Sequence, residues 1–211
     1  MSATTLPATV TFDELHALRI KGRASDAALG HMLGVSPYDA AIRRAALVSE
    51  GLAQYREGRM PGSSLTPDGR ELHSALLTER LTDAVKRSAV EQGLANFLPI
   101  NGALKRVCSS WQTREDDSPN RHDDAAYDAS VIEQLTAVNA DATALLRSAA
   151  RIETRFGRYA GRLDSALARI KAGDAAAFVR PMTESYHDIW MELHEDLILL
   201  AGKVRGEADE G

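Results

Sequence analysis

The stretch Leu29-Gly30-His31-Met32-Leu33-Gly34-Val35-Ser36-Pro37 carries the fold. Gly34 can take the left-handed conformation that stops a helix, and Ser36-Pro37 is a cap followed by a first-turn proline. Two helices joined by a tight turn follow. Upstream, Ser25 caps the first of them. Before it, Thr11-Phe12-Asp13-Glu14 fits a capping box, with Leu15 and Leu18 on one face and Gly22 as the stop. Downstream, the helix begun at Pro37 runs to Glu50 and ends at Gly51. The period then changes: Leu52–Arg56 reads as a strand, residues 57–62 hold two glycines and a proline, and Ser63–Leu65 reads as the return strand. Thr66-Pro67 caps a further helix.

Three quoted segments keep this order: residues 29–37, residues 49–58 (SEGLAQYREG) and residues 63–72 (SSLTPDGREL). Together they resemble the winged helix-turn-helix domain of MarR-type transcriptional regulators, over about residues 11–80. The resemblance implies a mainly α fold: an N-terminal winged helix-turn-helix with a small β-hairpin wing, followed by an all-helical C-terminal domain. It implies binding to double-stranded DNA, with the second motif helix in the major groove and the wing on phosphate or minor groove. Carried onto this chain, the groove residues are Ser36, Tyr38, Asp39, Arg43 and Arg44, and the wing residues are Arg56 and Arg59. Arginine can read guanine bidentately, and wing arginines can neutralise phosphate.

Composition bounds this reading. The chain has 211 residues, 44% of them hydrophobic and 26% charged, as globular proteins do. Net charge is −5, which excludes a wholly basic nucleic-acid binder. Between Arg19 and Arg59, however, seven basic residues face four acidic ones. No stretch approaches the roughly 20 apolar residues of a membrane span. The start lacks a secretory pattern, and Cys108 is the sole cysteine, so a cytoplasmic protein without disulfide or multi-cysteine zinc site is expected. The acidic end, residues 206–211, is expected to fray.

Beyond Pro67 the pattern is helical. Leu72, Leu76, Leu81, Val85, Ala89 and Leu94 form a stripe that predicts one helix through Gln92, broken at Phe97–Ile100. Residues 114–124 read as a mobile charged loop. Residues 125–171 exceed an ordinary helix, so a break is expected near Asn139–Asp141 or near Gly157–Gly161, glycines that would allow close packing. Thr183 is expected to cap the last helix. The domains are thus 1–66, winged helix; 67–95, connecting helix; and 97–206, a helical dimerisation or ligand-responsive domain.

Eight of the eleven aromatic residues lie at or after Phe97. Trp111, Tyr159, Tyr186 and Trp190, with Arg155, Arg158 and His187, form a candidate pocket for a small-molecule effector; the same rings can instead fill the core. Arg151, Arg155, Arg158 and Arg162 lie along one helix and can pair with the acidic final helix. His187 and His194 are two turns apart, too far for a compact metal site, so no metal is expected. Cys108 reads as a core thiol. No phosphate-binding loop, nucleophile elbow or dinucleotide fingerprint occurs, and neither a cofactor nor an enzyme activity is expected. The resulting expectation is a homodimeric DNA-binding regulator. Two rivals stand beside it: a winged-helix module that contacts a protein partner without DNA, and a helical ligand-binding protein with an accessory winged helix.

Overall fold

The computed structural model describes residues 10–204 and 206, so the expectations for the chain start and for residues 207–211 lie outside the described residues. The fold is mainly helical, with one two-stranded antiparallel sheet among the described residues. The chain divides into two compact units, Met1–Arg87 and Ser88–Gly211.

The first unit holds α1 (Phe12–Lys21), α2 (Asp26–Leu33), α3 (Pro37–Ser49), β1 (Ala53–Arg56), β2 (Gly62–Leu65) and α4 (Pro67–Arg80). Its helix ends follow the local signals. The Glu14 carboxylate accepts from the Thr11 amide at 2.7 Å and from its hydroxyl. Ser25, Ser36 and Thr66 accept from the amides of Ala28, Asp39 and Gly69 at 3.1–3.2 Å. Each bond satisfies a helix amide that has no partner within its own helix. Gly34 stops α2 at φ 69° and ψ 36°, the left-handed region.

Tight backbone approaches hold these elements together. A Cβ on Gly30 would lie 2.8 Å from the Val35 carbonyl oxygen, so the turn between α2 and α3 closes only over glycine. At Gly69 a Cβ would meet the Leu52 carbonyl oxygen at 1.9 Å, which seats the start of α4 against the entry to β1. The hairpin pairs Ala53 with Leu65 and Arg56 with Gly62. Ala24, between α1 and α2, bridges Ser63 through two backbone bonds of 2.8 and 3.0 Å, adding a one-residue third member beside β2. Leu15, Leu18, Leu29, Ala40, Leu47 and Leu65 fill the core. Each buried leucine is worth roughly 1.5–3 kcal/mol of transfer free energy. His16 and His73 join α1 to α4 through a buried 2.9 Å ring nitrogen contact, both stacked on Phe12.

The connecting helix expected over 67–95 is interrupted. α4 ends at Arg80, and α5 (Ala84–Gln112) starts afresh. Thr82 Oγ1 donates to the Glu79 carbonyl at 2.6 Å, and Asp83 accepts from the Lys86 amide at 3.1 Å. These two side chains stop one helix and cap the next, a signal that the apolar stripe outweighed. Val85, counted in that stripe, is 81% exposed.

The second unit comprises most of α5, then α6 (Ala125–Ala149), α7 (Arg155–Lys171), α8 (Ala176–Val179) and α9 (Tyr186–Leu200). α5 continues through Pro99, where a break was expected. Proline removes one helical bond and crowds the preceding turn. Here the flanking residues override that cost: Phe97 packs on Trp190 at 4.9 Å, Asn101 accepts from Trp190 Nε1 at 2.8 Å, and Pro99 itself faces solvent. The expected break after Ala125 falls at neither proposed place but at residues 150–154. Asn139 stays helical because its amide is satisfied: it donates to Asp164 at 2.7 Å and accepts from the Tyr186 hydroxyl at 3.2 Å. Gly161 meets nothing that a Cβ would touch within 4 Å, so this glycine serves no close packing. Ser185, not Thr183, caps α9, in a capping box with Asp188. The loop after α5 is tied rather than loose. Arg114 pairs with Asp123 and Asp124, and buried Asn120 donates to the Trp111 carbonyl at 3.1 Å and to Asp128 at 2.9 Å.

Candidate nucleic-acid interface

α3 turns Ala40 and Leu47 inward. Its outer positions follow helical spacing: Tyr38, Ile42, Ala45 and Ser49, at i, i+4, i+7 and i+11, are exposed. Tyr38 is 75% and Ile42 54% exposed, large values for such side chains. The face presented is therefore mostly apolar.

The polar residues of α3 are engaged within the unit. Ser36 donates its hydroxyl to Asp39 at 2.6 Å while capping the helix with its oxygen. Arg43 donates to Glu14 at 2.7 Å. Glu14 is almost wholly buried, so this pairing neutralises an interior carboxylate on α1. Arg44 grips Asp26 of α2 through Nε and Nη2, at 2.9 and 3.2 Å. Its guanidinium also lies 4.5 Å from the centre of the Tyr55 ring on β1. The hydrogen bond to Asp26 leads the causes that hold the Arg44 pKa above its ordinary value, burial opposing it. Arg44 thus clamps α2, α3 and β1 together.

The hairpin is different. Arg56 at the end of β1 and Arg59 in the turn are exposed, as is Met60. Arg56, Arg59 and Arg23 make no ion pair among the described residues. Arg23 runs beside β2, its Cγ 3.1 Å from where a Gly62 Cβ would stand.

Of the seven residues expected to touch DNA, then, Tyr38, Arg56 and Arg59 stand outward with no ion pair among the described residues, Ser36 and Asp39 pair with each other in the open, and Arg43 and Arg44 hold the unit together. The sequence pattern does not single out Ile42 and Ala45. Alanine-rich α3 offers apolar residues on every side, so the amphipathic pattern that would mark its outer face is weak. The partners Glu14, Asp26 and Tyr55 are 18 to 29 positions away or on another element, beyond local spacing rules.

Trp111, Tyr159, Tyr186 and Trp190 are buried, and the side-chain polar atoms of the last three have protein partners. Tyr159 donates its hydroxyl to Asp196 at 3.1 Å, Tyr186 to Asn139, and Trp190 its ring N–H to Asn101. Burial, then Asp196 and Glu192, hold the Tyr159 phenol well above its ordinary range; burial does the same to Tyr186. Trp111 stacks on Phe178 at 4.5 Å with the rings 3° from parallel. Tyr186 and Trp190 stack at 6.0 Å. Arg155 is buried beside Glu153 at 3.2 Å, while Arg158 and His187 are half-buried. Arg162 pairs with Glu184, just before α9, and at 2.6 Å with Glu192 of α9. Burial lowers its pKa, but the two carboxylates more than offset this and the net shift is upward. Cys108 is shifted the other way from a reactive thiol, pushed up to about 11 by burial. His194 is buried against Phe97.

Among the described residues there is no group of three or more His, Cys, Asp or Glu placed to hold a metal ion, and no helix long and apolar enough to cross a membrane. Comparisons with family models, curated proteins and solved structures each find no match, so any assignment rests on the geometry above.

Proposed function

We propose that the first unit is a winged helix-turn-helix, that it binds double-stranded DNA, and that the chain is a dimeric transcriptional regulator. The observation that carries this is the exposed arginine set on the hairpin, Arg56 and Arg59, without ion pairs among the described residues, on a hairpin that meets α3 where Arg44 lies over Tyr55. The element order, three helices, a hairpin and a fourth helix, with Ala24 bridged to β2, supports the winged arrangement. Tyr38, Ile42 and Ala45 meet base edges, and Arg56 and Arg59 meet phosphate. Arg43 and Arg44 position α3 rather than read bases. Two-fold pairing of the chain supplies a second reading helix, since one such helix spans few base pairs.

The polar atoms of Tyr159, Tyr186 and Trp190 already have protein partners. This supports a core role for the rings and weakens their assignment to an effector pocket. One observation favours a second reading: an apolar α3 face with its arginines neutralised also suits a protein partner.

Titration of the full chain against random-sequence duplex at several salt concentrations separates the two. Expected is binding that weakens steeply with salt, and a slope reduced by about two for the double replacement of Arg56 and Arg59 by alanine. Absence of duplex binding at low salt would favour the protein-partner reading.

A further inference from the structure

We infer that α3 selects its sites through thymine methyl groups and not through guanine. This rests on the DNA-binding reading above. The commonest direct readout of guanine uses a free bidentate donor, and that of cytosine a free carboxylate. On α3 those groups already hold partners within the unit. Arg43 is held at buried Glu14 through Nη1 at 2.7 Å, Arg44 grips Asp26 through Nε and Nη2 at 2.9 and 3.2 Å, and Asp39 accepts from Ser36 at 2.6 Å. Releasing Arg43 would leave a carboxylate that is 3% exposed without its cation, a strongly unfavourable state. Releasing Arg44 would also undo its seat on Tyr55.

What α3 offers outward in its first two turns is Tyr38 and Ile42, with Ala45 one turn on. The early residues of a reading helix are those that meet base edges. The one apolar group on the major-groove edge of the base pairs is the thymine 5-methyl. An apolar stripe on a unit that also carries Arg23, Arg56 and Arg59, exposed and without ion pairs among the described residues, matches that occupant in both chemistry and charge, and the hairpin meets α3 where Arg44 lies over Tyr55. A purely apolar protein partner would leave those three cations unused.

The test uses the full chain and duplexes enriched from a random library at low salt. In the enriched site, thymines are replaced by deoxyuridine, which removes only the methyl, or guanines by 7-deazaguanine, which removes the N7 acceptor. Deoxyuridine should weaken binding about fourfold for each contacted methyl, the equivalent of one buried carbon. Substitution by 7-deazaguanine should leave affinity unchanged. In the double variant Tyr38→Ala, Ile42→Ala the deoxyuridine effect should vanish while the salt dependence persists. Equal affinity for thymine and deoxyuridine sites overturns the inference, and so does a loss confined to 7-deazaguanine; both leave the DNA-binding reading intact. No binding to any duplex overturns that reading as well, and makes the stripe a protein contact.

Discussion

On α5, burial moves the Cys108 thiol from its ordinary 9.0 up to about 11. The sign of the consequence follows from proton counting. Between those two values the unfolded chain has released this proton and the folded chain has kept it, so folding is penalised progressively as pH rises. The stability is fully present below pH 9 and lost on passing to about 11. Wild type should therefore lose more stability than Cys108→Ala between pH 8 and pH 10.5, by roughly 2 kcal/mol. Urea unfolding midpoints at the two pH values measure this. Tyr159, also pushed up by burial, is present in both proteins and cancels in the difference. An equal loss in the two proteins would mean that Cys108 reaches solvent. The same residue scale explains Arg43 and Arg44. A guanidinium is the side chain best suited both to read guanine and to satisfy a fixed carboxylate. Nothing in its neighbours along the chain says which it does. Glu14 and Asp26 decide it from other helices.

Elements show where local signals suffice and where they fail. The caps at Thr11, Ser25, Ser36 and Thr66 were legible because each involves residues within three positions. Pro99 misleads for the opposite reason. Its local cost is genuine, but Phe97 and Asn101 are held by Trp190, about 90 residues away. If packing alone keeps α5 helical there, Pro99→Ala should restore a bond to the preceding turn and lose no buried contact. Stability should then rise by roughly 1–3 kcal/mol, read from chemical denaturation. A fall would show that the proline supplies a bend the α5 packing requires. The interruption at residues 81–83 differs, because its bonds are as local as those of the caps and the apolar stripe running across them masks the signal. Thr82 and Asp83 are ordinary on a helix surface, and only their bonds to Glu79 and Lys86 reveal a stop and a start.

Across the whole molecule, each unit has its own buried centre. Leu15, Leu29 and Leu47 serve the first; Phe97, Leu135, Leu163 and Trp190 serve the second. A fragment of residues 1–87 should accordingly fold by itself, since many domains of this size do. The dimer proposed above is assigned to the second unit. Light scattering should give a dimer for the full chain at tens of micromolar and a monomer for the fragment. A fragment that pairs as tightly as the full chain would move the interface to the first unit. A monomeric full chain would remove the dimer altogether.

The chain's own residues were enough for the helix starts of the first unit, their caps, the hairpin and the mainly helical character of the rest, though not for the end of α4 at Arg80. These depend on residues within a few positions of one another, where backbone preference and hydrogen-bonding reach are set by the chain. The order of the elements was readable for the same reason. Only the tertiary structure decided which face of α3 looks outward, because alanine-rich helices bury whichever side the neighbouring elements cover. It alone decided that Arg43 and Arg44 are spent on carboxylates while Arg56 and Arg59 are not. It alone placed the hydroxyl of Tyr159 on Asp196 and the ring N–H of Trp190 on Asn101. A side chain's freedom to act on a partner outside the chain depends on what the chain itself has already brought within 3 Å of it, and sequence spacing does not carry that distance.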